Sequence, residues 1–260
     1  MRMFSLLAAL ITLGTAGTAQ AAVQTRPVTY KLGAVTFEGT ISFDAALHGK
    51  RPAVLVVPDW MGPSAFSRSR AEELAKLGYV ALAADVYGKD TRPKDGKEAA
   101  AASGALKADR KLLRQRVRLA LDTLLAQPEA DPAHVAAIGY CFGGTTVLEL
   151  ARSGAPVHAT VSFHGGLDTP TPADAKAITG KILALHGADD PFVPPEHVAA
   201  FEKELRDAKV DWQLVAYGGA VHAFAVPGAG NDPSKGAAYN EKADKRSWQA
   251  MRSFLGEVFN

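Results

Sequence analysis

Short apolar runs recur along the chain, and amphipathic segments separate them. The runs are rich in valine, isoleucine, leucine and alanine, as in Ala53–Val57 and Val135–Gly139. Runs of this length and composition are typical of strands that are covered on both faces of a sheet. A weaker alternation near the start predicts a hairpin at a sheet edge. The sequence predicts strands over 28–30, 34–43, 53–57, 79–84, 135–139, 158–165, 181–187 and 211–219.

The segments between these strands have helical spacing of apolar residues and residues typical of helix ends. Ser67–Gly78 ends on a glycine, and Pro195–Ala208 begins on a proline, as favoured at those two positions. Further helices are predicted over 109–125, 144–154 and 239–259, and a polar loop over 88–98. The alternation of strand and helix predicts an α/β fold, a mostly parallel central sheet with helices on both faces. Functional groups in such sheets gather at the carboxyl ends of the strands.

The N-terminal residues have the features of a secretory signal peptide. Arg2 precedes an apolar stretch from Phe4 to Leu13, and Ala19–Ala21 matches the small-x-small cleavage pattern. The stretch is too short for a permanent membrane span, and an uncleaved anchor is the alternative. We therefore expect residues 1–21 to be a signal peptide. Residues 22–260 should form a single domain that is exported, to the periplasm or outside the cell.

Composition and charge exclude some classes of partner. The chain is 47% hydrophobic and 22% charged, with a net charge of +2, which is ordinary for a globular protein. The densest basic run, Arg110–Arg118, contains leucine and valine at helical spacing. It indicates a solvated helix face rather than a nucleic-acid site. We expect a monomer that binds no nucleic acid and, after signal cleavage, no membrane.

The single cysteine lies between glycines, in GYCFGG, where a predicted strand gives way to a helix. Structural cysteines of exported proteins usually come in pairs, so Cys141 is either a buried inert thiol or a reactive one. The pattern matches the nucleophile elbow of hydrolases, with cysteine in the place of serine. Gly139 and Gly143 would relieve crowding in a tight turn, and Gly144 would let the helix pack closely. The helix N-terminus would favour the thiolate.

Two later strand ends carry the residues that would complete a catalytic triad. Asp189 and Asp190 follow one strand, in GADDPFVP, and His222 follows the last strand, in GGAVHAF. Each alone has an ordinary interpretation as turn chemistry or as a loop histidine. Their order, nucleophile then acid then histidine after successive strands, is that of the α/β-hydrolase triad. The sequence therefore favours Cys141, His222 and Asp190 as catalytic residues.

The sequence offers little evidence for a metal site or a nucleotide cofactor. No histidine or cysteine spacing resembles a metal site, and the glycine-rich nucleotide motifs are missing, so we expect neither metal nor cofactor. His164 and His186 end strands near the predicted site, and either could line it. We expect the loop 227–240 to be a surface excursion rather than a cap. Six aromatic residues near strand ends could line an acyl pocket or belong to the core: Trp60, Phe66, Tyr87, Phe142, Phe192 and Phe224.

The motifs GYCFGG, GADDPFVP and GGAVHAF, together with VLVVPDWMG and ADVYG, resemble those of the dienelactone hydrolase family over about 34–254. The resemblance implies an α/β-hydrolase fold with Cys141, Asp190 and His222 as the triad. It also implies an oxyanion hole formed by the backbone amides of Phe142 and Trp60. The implied reaction is hydrolysis of a small ester or lactone through an acyl-thioester.

The chain departs from this family where the substrate would bind. Asp59 replaces the glutamate that holds the resting thiol, and Lys89 replaces an arginine that binds a substrate carboxylate. Lysine keeps the charge but lacks the bidentate fork of arginine. A serine and a second arginine after the catalytic histidine are replaced by Ala223 and Val226. We therefore expect the family chemistry without the dienelactone pocket. Two alternatives are a redox or acyl-transfer thiol and a binding protein with a vestigial triad.

Overall fold

The computed structural model describes residues 22–260, so the predicted signal peptide lies outside the described residues. A central sheet has eight strands in the order β1-β2-β4-β3-β5-β6-β7-β8. The strands are β1 Val23–Leu32, β2 Val35–Asp44, β3 Arg51–Val57, β4 Val80–Ala83, β5 Ala130–Tyr140, β6 Ala159–Phe163, β7 Lys181–Gly187 and β8 Trp212–Tyr217. The helices are α1 Ala65–Lys76, α2 Gly96–Ala108, α3 Arg110–Leu125, α4 Phe142–Arg152, α5 Pro195–Asp207 and α6 Glu241–Phe259.

Strand direction places the carboxyl ends of most strands at one edge of the sheet. The predicted edge hairpin is present, since β1 and β2 pair antiparallel and β2 pairs antiparallel with β4. The remaining neighbours, from β4 through β8, are parallel. The predicted α/β-hydrolase architecture, a mostly parallel sheet between helices, is confirmed.

Alternating side chains of the central strands supply the two sides of the core. Val54 and Val56 of β3 pack in a cluster with α1 and α6, whereas Leu55 and Val57 pack in a cluster with α3 and α4. All four side chains are fully buried. Alternation of this kind follows from the two-residue period of a strand that is covered on both faces.

Helix α2 was not predicted, because its sequence lacks the apolar stripe by which the other helices are recognised. It contains GKEAAAASGALKA, in which alanine supplies helix propensity without an amphipathic pattern. Asp95 caps it by accepting the Glu98 N–H at 2.8 Å. Three predicted helix starts also shift by two residues, and α1 begins at Ala65 rather than at Ser67. α4 begins directly after Cys141, and α6 begins after Asn240, whose side chain accepts the Ala243 N–H.

Within residues 22–260, no helix is both long enough and apolar enough to cross a membrane.

Candidate active site

Cys141 occupies a strained turn between β5 and α4. Its backbone angles are φ 54° and ψ −117°, a region that residues with a side chain rarely adopt. Its N–H donates to the carbonyl oxygen of Phe163 at 3.0 Å, so the turn is tied to the end of β6. The thiol is half-buried. Such a turn lifts the side chain above the carboxyl edge of the sheet, as a nucleophile elbow does.

The glycines around Cys141 are required by close backbone approaches. A Cβ at Gly139 would overlap the carbonyl oxygen of Gly143, and a Cβ at Gly143 would overlap the carbonyl oxygens of Val57 and Pro58. A Cβ at Gly144 would lie 2.8 Å from the Cα of Gly165. The predicted role of these glycines, relief of crowding and close helix packing, agrees with this geometry.

Replacement of Gly143 by alanine should destabilise the protein strongly. Because the colliding atoms are backbone oxygens, the elbow must move, and we expect the free energy of unfolding to fall by about 3 kcal/mol. Urea unfolding would measure the loss. Gly104→Ala is the matched control, since a Cβ at Gly104 meets no atom within 4 Å. That change lies in a helix and should raise stability by about 0.5–1 kcal/mol. Wild-type stability of the Gly143 variant would contradict the interpretation.

The structure brings the three predicted catalytic residues into one hydrogen-bonded chain. Nε2 of His222 lies 3.0 Å from Sγ of Cys141, and Nδ1 of His222 lies 2.8 Å from Oδ2 of Asp190. Asp190 is buried, and its Oδ1 also accepts the Phe192 N–H at 2.9 Å. Asp189 is exposed and accepts the Gly219 N–H instead. Of the two neighbouring aspartates, only Asp190 contacts His222.

The loop after His222 is a surface excursion over most of its length, as expected, since residues 230–235 are exposed, but its last part packs against His222. The His222 N–H donates to the carbonyl oxygen of Gly236, and the Ala238 N–H donates to the carbonyl oxygen of His222. Gly236 is buried and lies against the ring of Phe192. Residues 236–238 therefore support the backbone of the histidine from one side.

The surroundings of His222 favour its protonated form. Burial alone would lower its pKa, but hydrogen bonds to Asp190 and Cys141, and their charges, raise the pKa to about 10. An imidazolium at Nε2 would form an ion pair with a thiolate at Sγ, which lies 3.0 Å away.

A titration of His222 would test this ion pair. We expect its ¹⁵N NMR signals to report an imidazolium from pH 6.5 to about 9, with a midpoint near 10. The folded-state pKa exceeds the ordinary value of 6.5, so protonation of His222 stabilises the fold fully below pH 6.5. That contribution is lost as the pH rises through 10. Cys141→Ala should lower the midpoint. A wild-type midpoint near 6.5 would contradict the pair.

Asp59 lies at the site but does not hold the thiol. Its Oδ1 accepts the Met61 N–H at 2.9 Å, and no hydrogen bond joins it to Cys141 within residues 22–260. Burial raises the pKa of Asp59, while the Met61 hydrogen bond and the nearby His222 charge oppose that rise. Asp59 is therefore close enough for the His222 charge to lower its pKa, but it makes no direct hydrogen bond to Sγ among the described residues.

The two predicted oxyanion donors have no hydrogen-bond partner among the described residues, and their role stays a prediction. Neither the Phe142 N–H nor the Trp60 N–H donates a hydrogen bond to another described residue. Tyr87 links the two segments: its hydroxyl donates to the Trp60 carbonyl at 2.9 Å, and its ring stacks on Phe142 at 5.6 Å. The sequence placed Tyr87 only among candidate pocket or core aromatics.

The other predicted substrate-side residues are spread around this centre. Lys89 is exposed, and its N–H donates to Thr36 of β2, so its role as a carboxylate ligand stays a prediction. Ala223 has a positive φ of 57° directly after His222, and Val226 donates its N–H to the Ala223 carbonyl. Neither of these two side chains can bind an anion.

The six aromatic residues divide into core and surface groups. Phe224 is fully buried, and Phe66 packs edge-on against Tyr140. Trp60 is 40% exposed and Phe192 is 59% exposed. The rings of Phe192 and His222 lie edge-to-face, with 5.3 Å between their centroids. Of these six residues, Phe192 is therefore the exposed aromatic group whose ring lies against His222.

His164 and His186 are both close to the site, as predicted, but they lie on different sides of it. His164 is buried beneath the elbow, and its Nδ1 accepts the Cys141 N–H at 3.1 Å. His186 lies beside Asp190 in the wall of a depression of about 340 Å³ between α5 and β8. Burial lowers the pKa of both rings. The sequence suggested that His164 could line the site, but no motif predicted its hydrogen bond to Cys141.

Among the residues that the structure describes, no group of three or more histidine, cysteine, aspartate and glutamate side chains could hold a metal ion. The expectation of a metal-free and cofactor-free site stays a prediction.

The position of these groups on the sheet identifies the class of protein. The cysteine elbow follows β5, the acid follows β7 and the histidine follows β8, all at the carboxyl edge. This is the arrangement of the α/β hydrolases.

Comparisons with known proteins define the family. A model described as the dienelactone hydrolase family matches residues 38–259, so the chain belongs to that family, as predicted. The structure named m3DLH is 45% identical, with a TM-score of 0.88 over 92% of this chain and 100% of its own. A dienelactone hydrolase-like promiscuous phosphotriesterase from metagenomic libraries is 44% identical, with a TM-score of 0.86 over 91% and 99% of the two chains.

A relative from Synechocystis sp., named "Putative carboxymethylenebutenolidase", is 30% identical over 80% of this chain and 86% of its own. The prediction that the protein is a hydrolase of this family is confirmed.

Proposed function

We propose that the protein hydrolyses small, uncharged carboxylic esters or lactones, with Cys141 as nucleophile, His222 as proton carrier and Asp190 as the group that orients His222. One observation carries the proposal: Nε2 of His222 lies 3.0 Å from Sγ of Cys141. Asp190 bonds to the other ring nitrogen, Nδ1, at the same time. Nucleophile, base and orienting acid in mutual contact are the requirements for covalent acyl transfer.

Acylation begins with attack of the Cys141 thiolate on the carbonyl carbon. The carbonyl oxygen becomes an oxyanion and accepts hydrogen bonds from the Phe142 and Trp60 N–H groups. Collapse of this intermediate breaks the bond to the ester oxygen, and His222 donates its Nε2 proton to that oxygen. The product is an acyl-thioester on Cys141, and in a lactone the released hydroxyl stays on the acyl chain.

Deacylation uses the same groups, but His222 now accepts a proton instead of donating one. His222, now neutral, takes a proton from water at Nε2, and the hydroxide adds to the thioester carbonyl. The oxyanion again binds the two amides. Collapse expels the thiolate, and the carboxylic acid that forms loses its proton to solvent. Asp190 keeps the ring oriented in both steps, because it contacts Nδ1 and leaves Nε2 facing the sulfur.

The choice of uncharged substrates follows from the residues next to His222. Ala223 and Val226 stand where the resemblance places a serine and an arginine that grip a carboxylate. Phe192 provides exposed aromatic surface beside the His222 imidazole. Apolar surface of this kind favours aryl or short alkyl groups over anions.

Turnover of p-nitrophenyl acetate and of a panel of small lactones tests the proposal. We expect a burst of p-nitrophenol equal to one equivalent of enzyme when deacylation is slow, and an acetyl group on Cys141 by mass spectrometry. A charged lactone carboxylate should be a poorer substrate than its methyl ester. Turnover without any adduct on Cys141, even in acid-quenched samples, would contradict the mechanism.

A neutral aryl phosphotriester is a second candidate substrate. The relative described as a promiscuous phosphotriesterase is 44% identical to this chain, and it supports the candidate. The thiolate would attack phosphorus and expel the aryl oxide, which leaves a phosphorylated cysteine that water must hydrolyse. Release of p-nitrophenolate from a p-nitrophenyl dialkyl phosphate by the wild type, and not by Cys141→Ala, would establish this activity.

We also propose that the protein is exported after cleavage near Ala21. The cleavage pattern Ala19–Ala21 supports this, as does the start of β1 at Val23, so removal of residues 1–21 would leave every described strand intact. Mass spectrometry of the protein from the periplasm and the medium should find a mature N-terminus near Ala22. A full-length chain confined to the cytoplasm would contradict export.

A further inference from the structure

A second buried histidine contacts the nucleophile but has no part in the proton transfers above. His164 is fully buried at the end of β6, with a positive φ of 39°. Its Nδ1 accepts the Cys141 N–H at 3.1 Å, and the same N–H also donates to Phe163 O at 3.0 Å. Its ring lies edge-to-face with His222, with 5.4 Å between ring centroids. His164 therefore lies against both reacting residues.

The hydrogen bond from the Cys141 N–H requires that Nδ1 of His164 is unprotonated. A nitrogen that accepts a hydrogen bond carries no proton, so the neutral ring holds its proton on Nε2. That Nε2 is buried and has no partner within residues 22–260. Protonation of Nδ1 would turn the acceptor into a donor that faces another donor, and the contact with Cys141 would be lost.

The surroundings keep His164 neutral. Burial, and next the positive charge on His222, lower the pKa of His164 well below its ordinary range, and Arg70 acts in the same direction. Tyr140, whose ring lies 6.0 Å away, is itself un-ionised because burial raises its pKa. Of the two adjacent histidines, only His222 takes up the proton from the thiol.

We propose that His164 is a positioning residue for the reaction: its unprotonated Nδ1 holds the backbone N–H of Cys141 and so fixes Sγ against His222. This inference rests on the proposed function for its kinetic consequence, but its structural part does not. The bond adds a second acceptor to the N–H of Cys141, whose φ of 54° is strained.

The chain contains a matched control at the other end of the same two strands. His158 precedes β6, and its Nδ1 accepts the Val135 N–H of β5 at 3.2 Å, while its side chain is exposed. The two histidines thus make the same kind of bond to β5, one far from the thiol and one at it. Loss of a backbone hydrogen bond alone should affect both variants alike.

Three variants separate a positioning role from a structural one. His164→Phe keeps a ring but removes the acceptor, His164→Asn keeps an acceptor and tolerates a positive φ, and His158→Phe removes the distant bond. We expect His164→Phe to lower kcat roughly 10- to 100-fold, as a small displacement of a nucleophile does, with KM within about twofold. His164→Asn should recover most of kcat. His158→Phe should keep the wild-type kcat.

Measurements without any ester distinguish failure of this inference from failure of the proposed function. The rate of Cys141 alkylation by iodoacetamide should fall in His164→Phe and recover in His164→Asn. In the wild type, ¹⁵N NMR should show His164 neutral with its proton on Nε2 at pH 6.5 and above, because burial lowers its pKa well below 6.5. This spectrum tests the proposal even if His164→Phe fails to fold. A proton on Nδ1, titration near pH 6.5, or equal kcat in His164→Phe and the wild type would overturn it.

Discussion

Cys141→Ala should lower kcat/KM for p-nitrophenyl acetate by roughly 10⁴- to 10⁶-fold, as removal of a catalytic nucleophile does in other hydrolases. Without Sγ, no acyl-enzyme can form, and the site retains only the Phe142 and Trp60 amides and a histidine that can activate water. The side chain supplies no backbone hydrogen bond, but its loss removes part of what stabilises the His222 imidazolium, so the melting temperature near neutral pH should fall modestly while the protein stays folded. Thermal unfolding and steady-state rates, measured on one preparation, provide the two readouts.

Chemical modification supplies the control for this variant. Because Cys141 is the only cysteine in the sequence, iodoacetamide should inactivate the wild type in step with alkylation of a single residue. The residual rate of Cys141→Ala should not respond to the reagent. A variant that keeps more than about 1% of wild-type activity would remove Cys141 from the mechanism and leave His222 with Asp190 as a base for direct attack by water.

The sequence predicts the elbow well because its geometry is local. Gly139, Gly143 and Gly144 fall within six residues of the chain, and the structure shows that a side chain at any of them would collide with a neighbouring backbone atom. The short apolar runs likewise predict β3 to β8. These six strands form the parallel part of the sheet, in which a strand is either buried on both faces or paired with a strand that is. By contrast, α2 has no such pattern, because alanine favours a helix without marking a buried face.

The contacts around the thiol that the sequence did not predict are non-local. The bond from the Cys141 N–H to His164 depends on the register of β5 and β6, in which Tyr140 pairs with Phe163. The contact between Tyr87 and Trp60 joins the ends of β3 and β4. No spacing along the chain encodes either distance. Family resemblance predicts which residues meet in the Cys141–His222–Asp190 chain, but not the buried groups that hold them in place.

Asp189 and Asp190 are neighbours in the chain, but only Asp190 makes a hydrogen bond to His222. Asp190→Asn should lower kcat by roughly 10³- to 10⁴-fold, the range found when the acid of a hydrolase triad becomes an amide. With Oδ1 still accepting the Phe192 N–H, the new amide group would present N–H to Nδ1 of His222. The ring would then carry its proton on Nε2, facing Sγ, and could not accept the thiol proton. The pKa of His222 should fall as well, since Asp190 helps to raise it.

Asp189→Asn is the matched control, because it makes the same chemical change one residue away. Asp189 is exposed and accepts only the Gly219 N–H, at 3.0 Å, which an asparagine oxygen can also accept. We expect its kcat to stay within about threefold of wild type, since exposed polar substitutions have small effects. The kcat ratio of the two variants, with an NMR titration of His222 in each, decides the assignment. Equal losses would mean that the charge of the loop matters, whereas a loss confined to Asp189→Asn would show that Asp190 does not orient the histidine. Only a loss confined to Asp190→Asn agrees with an acid that acts through its direct hydrogen bond to Nδ1.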